Sequence, residues 1–269
     1  MKIYYVDEYW NEKNSNPFSI EGNYGKNWAQ VIVCNDITGQ YSFNNTSGEL
    51  FTLKINSNHN GWEYRLSDYI QYENYHSRNV IVKENEKYNL KDIVNRYHIH
   101  GFDENSVRET DPRWIVHSTT KKNWKAINSS GYLKSIRVLI DEGYDEIGIG
   151  LAPFGEPDDY EDHIMFDHLY GCSELVVNSR NIGKVCTEPN IRYNPGIRMY
   201  FDAHKIILDG FAVRDGAHII KVKDKIRITD YIVYMYDETN VDIPKGIDFW
   251  TPSLFTDEAN KSFLKVYGK

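Results

Sequence analysis

The stretch Trp114-Ile-Val-His-Ser-Thr-Thr120 decides how the fold is interpreted. A short apolar run leads to a histidine, and three hydroxyl residues follow before the polar segment that begins at Lys121. Thr119 or Thr120 can cap a helix there, and Gly131 can end it in the left-handed conformation common at helix C-termini. The pattern predicts a strand that ends in polar side chains, followed by a short helix.

Two interpretations of His117 stay open on these residues alone. A histidine at a strand end can hydrogen bond to a ligand hydroxyl, and Ser118 or Thr119 can hold the same ligand. Equally, His117 can be a core histidine in front of a threonine that caps the helix.

The chain after Arg113 has an early pair of predicted helices and then mostly strands. This order predicts an α+β fold with a mixed or antiparallel sheet. The strand candidates are His163–Phe166, Glu174–Val177, Arg198–Phe201, His218–Val222 and Lys225–Tyr236.

The first half of the chain alternates short apolar runs with turn-forming segments. Trp28–Cys34 is a strand candidate, and the residues 35–40 that follow are typical of a turn. This half is expected to be a β-rich N-terminal domain over residues 1–105 that supports the second domain or recognises a partner. The polar segment 101–112 marks the expected boundary, so the second domain is predicted over residues 106–269, with a loop at 148–159.

Composition and charge limit the classes of function. The chain has 269 residues, 41% of them hydrophobic, which is enough for a core, and its formal net charge is −8. That charge disfavours a general nucleic-acid coat, which needs a basic face, but leaves room for a local anion pocket. Three cysteines without a Cys-x-x-Cys pair indicate a reducing compartment and give no support to a zinc site.

The location and metal content are predicted from similar absences. The N-terminus lacks a signal-peptide pattern, and no apolar run approaches a membrane span of about 20 residues, so a cytoplasmic protein without membrane contact is expected. Carboxylates and histidines are dense between Asp159 and His168, but they match no known metal signature. No metal is expected.

The segment around His117 resembles a known superfamily. His117-Ser-Thr, with Trp124, Ile127 and Gly131 in the helix behind it, is similar to the His-Gly-Thr segment that opens the NAD-binding core of His-type ADP-ribosyltransferases and RNA 2'-phosphotransferases. The family usually has glycine where Ser118 stands, because the backbone there lies close to the ligand.

Two further segments carry the resemblance. His163 is similar to a histidine in the His-Val-His-Leu-Ser strand of the 2'-phosphotransferases. The longer match runs from Pro195 to Ile232 and resembles the C-terminal part of those enzymes. Poly(ADP-ribose) polymerase-like enzymes carry a catalytic glutamate there, whereas this chain has Arg214-Asp-Gly-Ala-His218. Asp215 or His218 would have to take the place of that glutamate.

The resemblance implies an ADP-ribosyltransferase-like domain with a split mixed or antiparallel sheet, few helices and NAD as a substrate. It implies that His117 with Ser118 or Thr119 holds the NAD ribose and that Tyr132 packs near the nicotinamide. The catalytic residues would be His117, Asp215 and His218, and the further cofactor-binding residues would be His163 and Arg198. Glu174 is an alternative position for the acid.

Three functions are compatible with this resemblance. The first is transfer of ADP-ribose from NAD to a macromolecular acceptor, either protein or nucleic acid. The second is an NAD-dependent RNA 2'-phosphotransferase that uses His117, His163 and Arg198 in place of the acid. The third is a non-catalytic, toxin-like or phage-related interaction protein that kept the fold, which the missing glutamate favours.

Overall fold

A computed structural model describes residues 2–11, 15–44, 50–99, 105–144 and 157–268. The loop predicted at 148–159 lies mostly outside these residues. The chain forms two compact units. The first contains Met1–Ser106, Ala152–Tyr160 and Val213–His218, and the second contains Val107–Leu151, Glu161–Ala212 and Ile219–Lys269. Two short segments from the later half of the sequence therefore belong to the first unit.

The first unit is built on a five-stranded sheet with the strand order β1-β5-β2-β4-β3. The neighbours β1 and β5, β5 and β2, and β2 and β4 run parallel, and β3 runs antiparallel to β4. Its elements are β1 (Ile3–Val6), β2 (Trp28–Cys34), β3 (Tyr41–Asn44), β4 (Phe51–Asn56), α1 (Trp62–Tyr75), β5 (Asn79–Lys83) and α2 (Leu90–Ile99). The central strands are almost wholly buried, as their runs of Val, Ile and Leu require.

Helix α1 corrects the expectation of a β-rich N-terminal domain in which short apolar runs alternate with turn-forming segments. Trp62, Leu66, Tyr69 and Ile70 recur at helical spacing and are all buried. A helix is also needed here because a crossover must join the parallel strands β4 and β5. The connection therefore cannot be a hairpin turn.

Gly216 brings the segment Val213–His218 into close contact with α1. Its φ is +69°, and a Cβ atom at this position would lie 2.3 Å from the carbonyl oxygen of Arg65. The Arg65 side chain in turn donates from Nη1 to the Gly216 carbonyl oxygen at 2.7 Å. Only glycine fits both the backbone conformation and the space.

The second unit contains antiparallel strand pairs and six helices within its described residues. Strands β13, β9 and β6 form one sheet in that order, β11 pairs with β8, and β12 pairs with β7. The strands are β6 (Trp114–Thr119), β7 (Tyr132–Lys134), β8 (His163–Phe166), β9 (Ile197–Asp202), β10 (Ala212–Val213, of which Val213 is assigned to the first unit), β11 (Ile220–Lys223), β12 (Lys225–Arg227) and β13 (Ile232–Tyr236). The helices are α3 (Lys121–Ser130), α4 (Ile136–Asp141), α5 (Ser173–Ile182), α6 (Ala203–Leu208), α7 (Ile228–Tyr231) and α8 (Pro252–Tyr267).

Strand β6 contributes to two hydrophobic clusters, one on each face of its sheet. Ile115 belongs to a cluster with Phe166 and Met199, whereas Val116 belongs to a cluster with Tyr200. Successive side chains of a strand point to opposite faces, so one strand can serve both cores. The protein is thus an α+β protein with mixed and antiparallel sheets.

The predictions for Trp114–Thr120 and the helix that follows are confirmed, and two strand predictions are wrong. The Thr120 side chain accepts a hydrogen bond from the Asn123 backbone N–H, and Gly131 ends α3 with a φ of 74°. Glu174–Val177, predicted as a strand, lies in helix α5, and the predicted strand Lys225–Tyr236 is divided by α7. Short apolar runs fit either a strand or a buried helix, and packing decides between them. Among the described residues, no helix is long and apolar enough to cross a membrane.

Candidate functional site

His117 lies within β6, two residues before the strand ends, and is half-buried. Its Nδ1 atom is 3.0 Å from the carbonyl oxygen of Met165, and its ring centre is 5.9 Å from that of Phe166. Burial lowers the pKa of His117 to about 4; the bond to Met165 opposes this change and the charge of Arg180 adds to it. The imidazole is therefore neutral at physiological pH.

This contact also fixes the tautomer of His117. A carbonyl oxygen can only accept, so the proton of the neutral ring is on Nδ1 and the Nε2 atom is an acceptor. His117 can consequently accept a hydrogen bond from a ligand hydroxyl through Nε2.

Ser118 does not share this face of the strand. Its hydroxyl donates to Glu174 Oε1 at 2.5 Å, on the side of the sheet opposite to His117. Of the two residues expected beside His117, Ser118 points to the other face because side chains alternate along β6, so the structure does not support a role for Ser118 at the same ribose. Thr119 lies on the same face as His117 and is 3% exposed.

Arg198 is fully buried and all three of its guanidinium nitrogens are engaged. It donates from Nε to the Tyr200 hydroxyl at 3.0 Å, from Nη1 to Glu174 Oε1 at 3.0 Å, and from Nη2 to Asn260 Oδ1 at 3.1 Å. Nη2 also donates to the Leu169 carbonyl oxygen. The expectation that Arg198 binds a cofactor or a phosphate is wrong, since a ligand cannot reach a side chain with no exposed surface.

Glu174 is the acid of this network. Its carboxylate accepts from Ser118, Arg198 and the Tyr193 hydroxyl, and the residue is 1% exposed. A buried ion pair is tolerated when further hydrogen bonds satisfy the remaining donors and acceptors of both partners, as they do here. These contacts assign Glu174 to the core rather than to an open site.

Arg180 lies on α5, three residues after the buried Val177. Its Nε atom is buried and has no hydrogen-bond partner among the described residues, and burial lowers the pKa of its guanidinium. The positive charge of Arg180 also acts on His117, where it adds to the lowering of the pKa of that ring. A partly buried cation without a described acidic partner is a suitable subsite for an anion.

Sequence reasoning missed Arg180. The signal for Arg180 is helical spacing from Val177, and it is lost when Glu174–Val177 is taken as a strand. On a helix, Val177 and Arg180 are three residues apart and share a face, so a buried Val177 places Arg180 against the sheet.

His163 and Tyr132 lie on other strands of the second unit. His163 begins β8, is 8% exposed and pairs in register with Lys223. The hydroxyl of Tyr132 accepts from Nε and Nη2 of Arg227 at 3.2 and 3.0 Å. Leu133 packs in the cluster that contains Phe166, so Tyr132, as its neighbour on β7, points to the opposite face. The roles expected for His163 and Tyr132 beside NAD stay predictions.

Asp215 and His218 belong to the first unit, whereas His117 belongs to the second. Asp215 has no exposed surface. Its carboxylate accepts hydrogen bonds from the backbone N–H groups of Ala217 and His218, at 3.0 and 2.7 Å. Its Oδ2 atom also lies 2.8 Å from His218 Nδ1. The expectation that Asp215 acts at the reacting carbon is wrong, because its carboxylate is buried and engaged in this turn. The half-buried ring of His218 contacts Phe43 and Tyr160, with centres 5.6 and 5.5 Å apart.

The acidic segment around residue 160 is used in ion pairs. Asp159 binds Arg78 in the first unit, and Glu161 and Asp162 bind Arg137 in the second. Within the described ranges, no group of three or more His, Cys, Asp or Glu side chains is arranged to hold a metal ion.

Comparison with protein-family models, curated proteins and solved structures found no match to this chain. The function must therefore be argued from the arrangement of the side chains themselves.

Proposed function

We propose that the second unit binds NAD and transfers its ADP-ribose to a macromolecular acceptor. The observation that supports this proposal is the pair His117 and Arg180. His117 is a neutral imidazole with an acceptor nitrogen, and Arg180 is a partly buried guanidinium that has no described acidic partner and whose charge acts on that ring. The sequence resemblance around His117 supports the same ligand.

NAD supplies the groups that this pair requires. Its pyrophosphate is an anion for Arg180, which can form two parallel charge-assisted hydrogen bonds to phosphate oxygens. A ribose hydroxyl of NAD can donate to Nε2 of His117. In the proposed reaction the C–N bond to nicotinamide breaks, nicotinamide leaves with the electron pair, and an oxygen or nitrogen of the acceptor bonds to the ribose carbon and loses its proton if it carries one.

The buried carboxylates favour the second enzyme candidate, an NAD-dependent RNA 2'-phosphotransferase. Glu174 and Asp215 are both engaged in buried hydrogen bonds, so neither is assigned as a general base. A neutral nucleophile such as a hydroxyl needs a base, whereas a phosphate oxygen is already anionic. With Arg198 buried, Arg180 takes over the phosphate-binding role in this candidate.

The test is release of nicotinamide from NAD in the presence of separate acceptor fractions. The fractions are lysate protein, lysate nucleic acid and an oligonucleotide that carries a 2'-phosphate. Wild-type protein is expected to release nicotinamide with at least one of them. Arg180→Met is expected to lower the rate at least about tenfold, the scale of one charged hydrogen bond. Arg137→Met, which removes a 45% exposed arginine of the same unit, is the matched control.

The fraction that responds distinguishes the candidates. A labelled protein or nucleic acid supports ADP-ribosyl transfer, and loss of the 2'-phosphate supports the 2'-phosphotransferase. NAD binding without nicotinamide release from any fraction contradicts both enzymes and favours a non-catalytic binder. Equal rates for Arg180→Met and wild type contradict the assigned site.

A further inference from the structure

A buried ionic cluster holds the segment Pro157–Tyr160 against α1 in the first unit. Arg78, which directly precedes β5, binds two carboxylates at once: Glu73 of α1 and Asp159 of the segment. The bond from Nη1 to Asp159 Oδ1 is 2.6 Å. Arg78 and Glu73 are 7% and 0% exposed. We call Glu73, Arg78, Asp159 and Tyr160 the Arg78 cluster.

The tyrosines of this region connect the same two elements. Tyr160 donates from its hydroxyl to Glu73 Oε1 over 3.4 Å, and the Tyr72 hydroxyl donates to Asp159. The His76 ring lies 3.6 Å from Asp159. The charged and titratable groups that face Glu73 are Tyr69, Tyr72, His76, Arg78, Asp159, Tyr160 and Asp215.

The charges of the Arg78 cluster do not balance when both carboxylates are ionised. One guanidinium then faces two carboxylates, and Asp215 adds a third negative charge nearby. Burial acts to raise the pKa of Asp159, but hydrogen bonds from Arg78 and Tyr72 outweigh it and hold that pKa below its usual value. Burial raises the pKa of Glu73 to about 7, although Arg78 opposes this change. Glu73 is therefore the member that gains or loses a proton near neutral pH.

We propose that the Arg78 cluster is a pH-sensitive latch: protonation of Glu73 holds Pro157–Tyr160 on α1, and ionisation of Glu73 weakens that contact. Arg78 serves Asp159 alone when Glu73 is neutral and must be shared between two repelling carboxylates when Glu73 is charged. This inference is independent of NAD and of the proposed transfer reaction.

The sign of the pH effect follows from the direction of the shift. The folded-state pKa of Glu73 is raised above its ordinary value of 4.5, so the stability that Glu73 contributes is fully present below that value and is lost as the pH rises through about 7. The latch is therefore expected to open toward alkaline pH.

Hydrogen–deuterium exchange of a peptide that contains residues 158–160 tests the proposal in the full chain, without NAD. The Tyr160 backbone N–H, which donates to the Pro157 carbonyl oxygen, is a suitable reporter. After correction for intrinsic exchange rates, protection in the wild type is expected to fall about tenfold between about pH 6 and pH 8.5. Glu73→Gln, which mimics the neutral acid, is expected to abolish this fall.

Two further variants keep the test decisive if Glu73→Gln does not fold. Asp159→Asn removes the carboxylate that competes for Arg78, so the fall in protection is expected to move to lower pH by about one unit. Asp158→Asn is the matched control, because Asp158 is 67% exposed and pairs only with Lys26 among the contacts described for it. Wild-type protection that is independent of pH, or an identical pH profile in wild type and the Asp159→Asn variant, would overturn the latch.

Discussion

Replacing Glu174 with glutamine distinguishes a structural acid from a catalytic one. The substitution keeps the shape of the side chain but leaves the Arg198 guanidinium, which has no exposed surface, without its anion. Breaking a buried ion pair by neutralising one partner costs about 3–5 kcal/mol of unfolding free energy. The amide can still contact Ser118 or Tyr193, so we expect the lower part of this range.

Urea unfolding followed by circular dichroism and tryptophan fluorescence measures this loss. With a slope of roughly 3 kcal/mol per molar urea, a cost of about 3 kcal/mol lowers the unfolding midpoint by about 1 M. Glu142→Gln is the matched control, because it breaks a partly exposed pair with Lys134 in the same unit. Its cost is expected to stay below about 1 kcal/mol.

A double-mutant cycle tests whether the loss of unfolding free energy comes from the unpaired charge of Arg198. Arg198→Met in the Glu174→Gln background removes the unpaired guanidinium, so the double variant is expected to be less destabilised than the sum of the single variants by about 1–3 kcal/mol. A catalytic Glu174 gives the opposite result, since neutralising a catalytic charge lowers turnover and leaves stability unchanged or higher. Unchanged urea midpoints in the Glu174→Gln variant would refute the structural assignment.

Two other predictions concern the backbone of the first unit and the titration of the second. Gly216→Ala is expected to lower the free energy of unfolding by more than about 3 kcal/mol in thermal unfolding, because the new Cβ would lie 2.3 Å from the Arg65 carbonyl oxygen. The control Gly131→Ala has a similar positive φ but no atom within 4 Å, so it should cost only about 1–2 kcal/mol. Equal losses in the two variants would contradict the close approach at Gly216. The pKa of His117 is about 4 in the folded state, against an ordinary value of 6.5. The unfolded chain therefore binds the proton first as the pH falls, and the stability that neutral His117 contributes above pH 6.5 should be lost between pH 6.5 and about 4. His117→Gln should reduce that loss in urea midpoints measured across this range, and the same pH dependence as wild type would argue against a half-buried neutral His117.

The part of the fold that could be predicted from the sequence is the part that local signals control. The Thr120 cap and the Gly131 terminus of α3 were predicted because both act through the backbone of adjacent residues. Helix α1 also carried a signal, since Trp62, Leu66, Tyr69 and Ile70 recur at helical spacing. It went unrecognised among the turn-forming residues on either side.

The rest depends on contacts between residues far apart in the sequence. The apolar residues of Glu174–Val177 suit a strand as well as a helix, and in the helix that forms Glu174 pairs with Arg198 and Val177 is buried in the cluster that contains Val116. Asp215 was expected in the second domain, but its segment packs on α1 through Gly216, a contact that spans about 150 residues and leaves no local pattern. The same limit applies to the candidate site, where the sequence predicts Ser118 or Thr119 beside His117 but does not predict Arg180.

Isothermal titration calorimetry measures directly whether NAD binds at His117 and Arg180. The wild-type protein is expected to bind NAD. His117→Ala should weaken the affinity by about 1–3 kcal/mol, the scale of a lost hydrogen bond to a partly buried polar group, and Arg180→Met should weaken it by about 1.5–3 kcal/mol. Arg137→Met should bind like the wild type. No heat of binding at millimolar NAD would contradict NAD binding by this protein. An affinity that neither His117→Ala nor Arg180→Met changes would contradict the assignment of these two residues to the site.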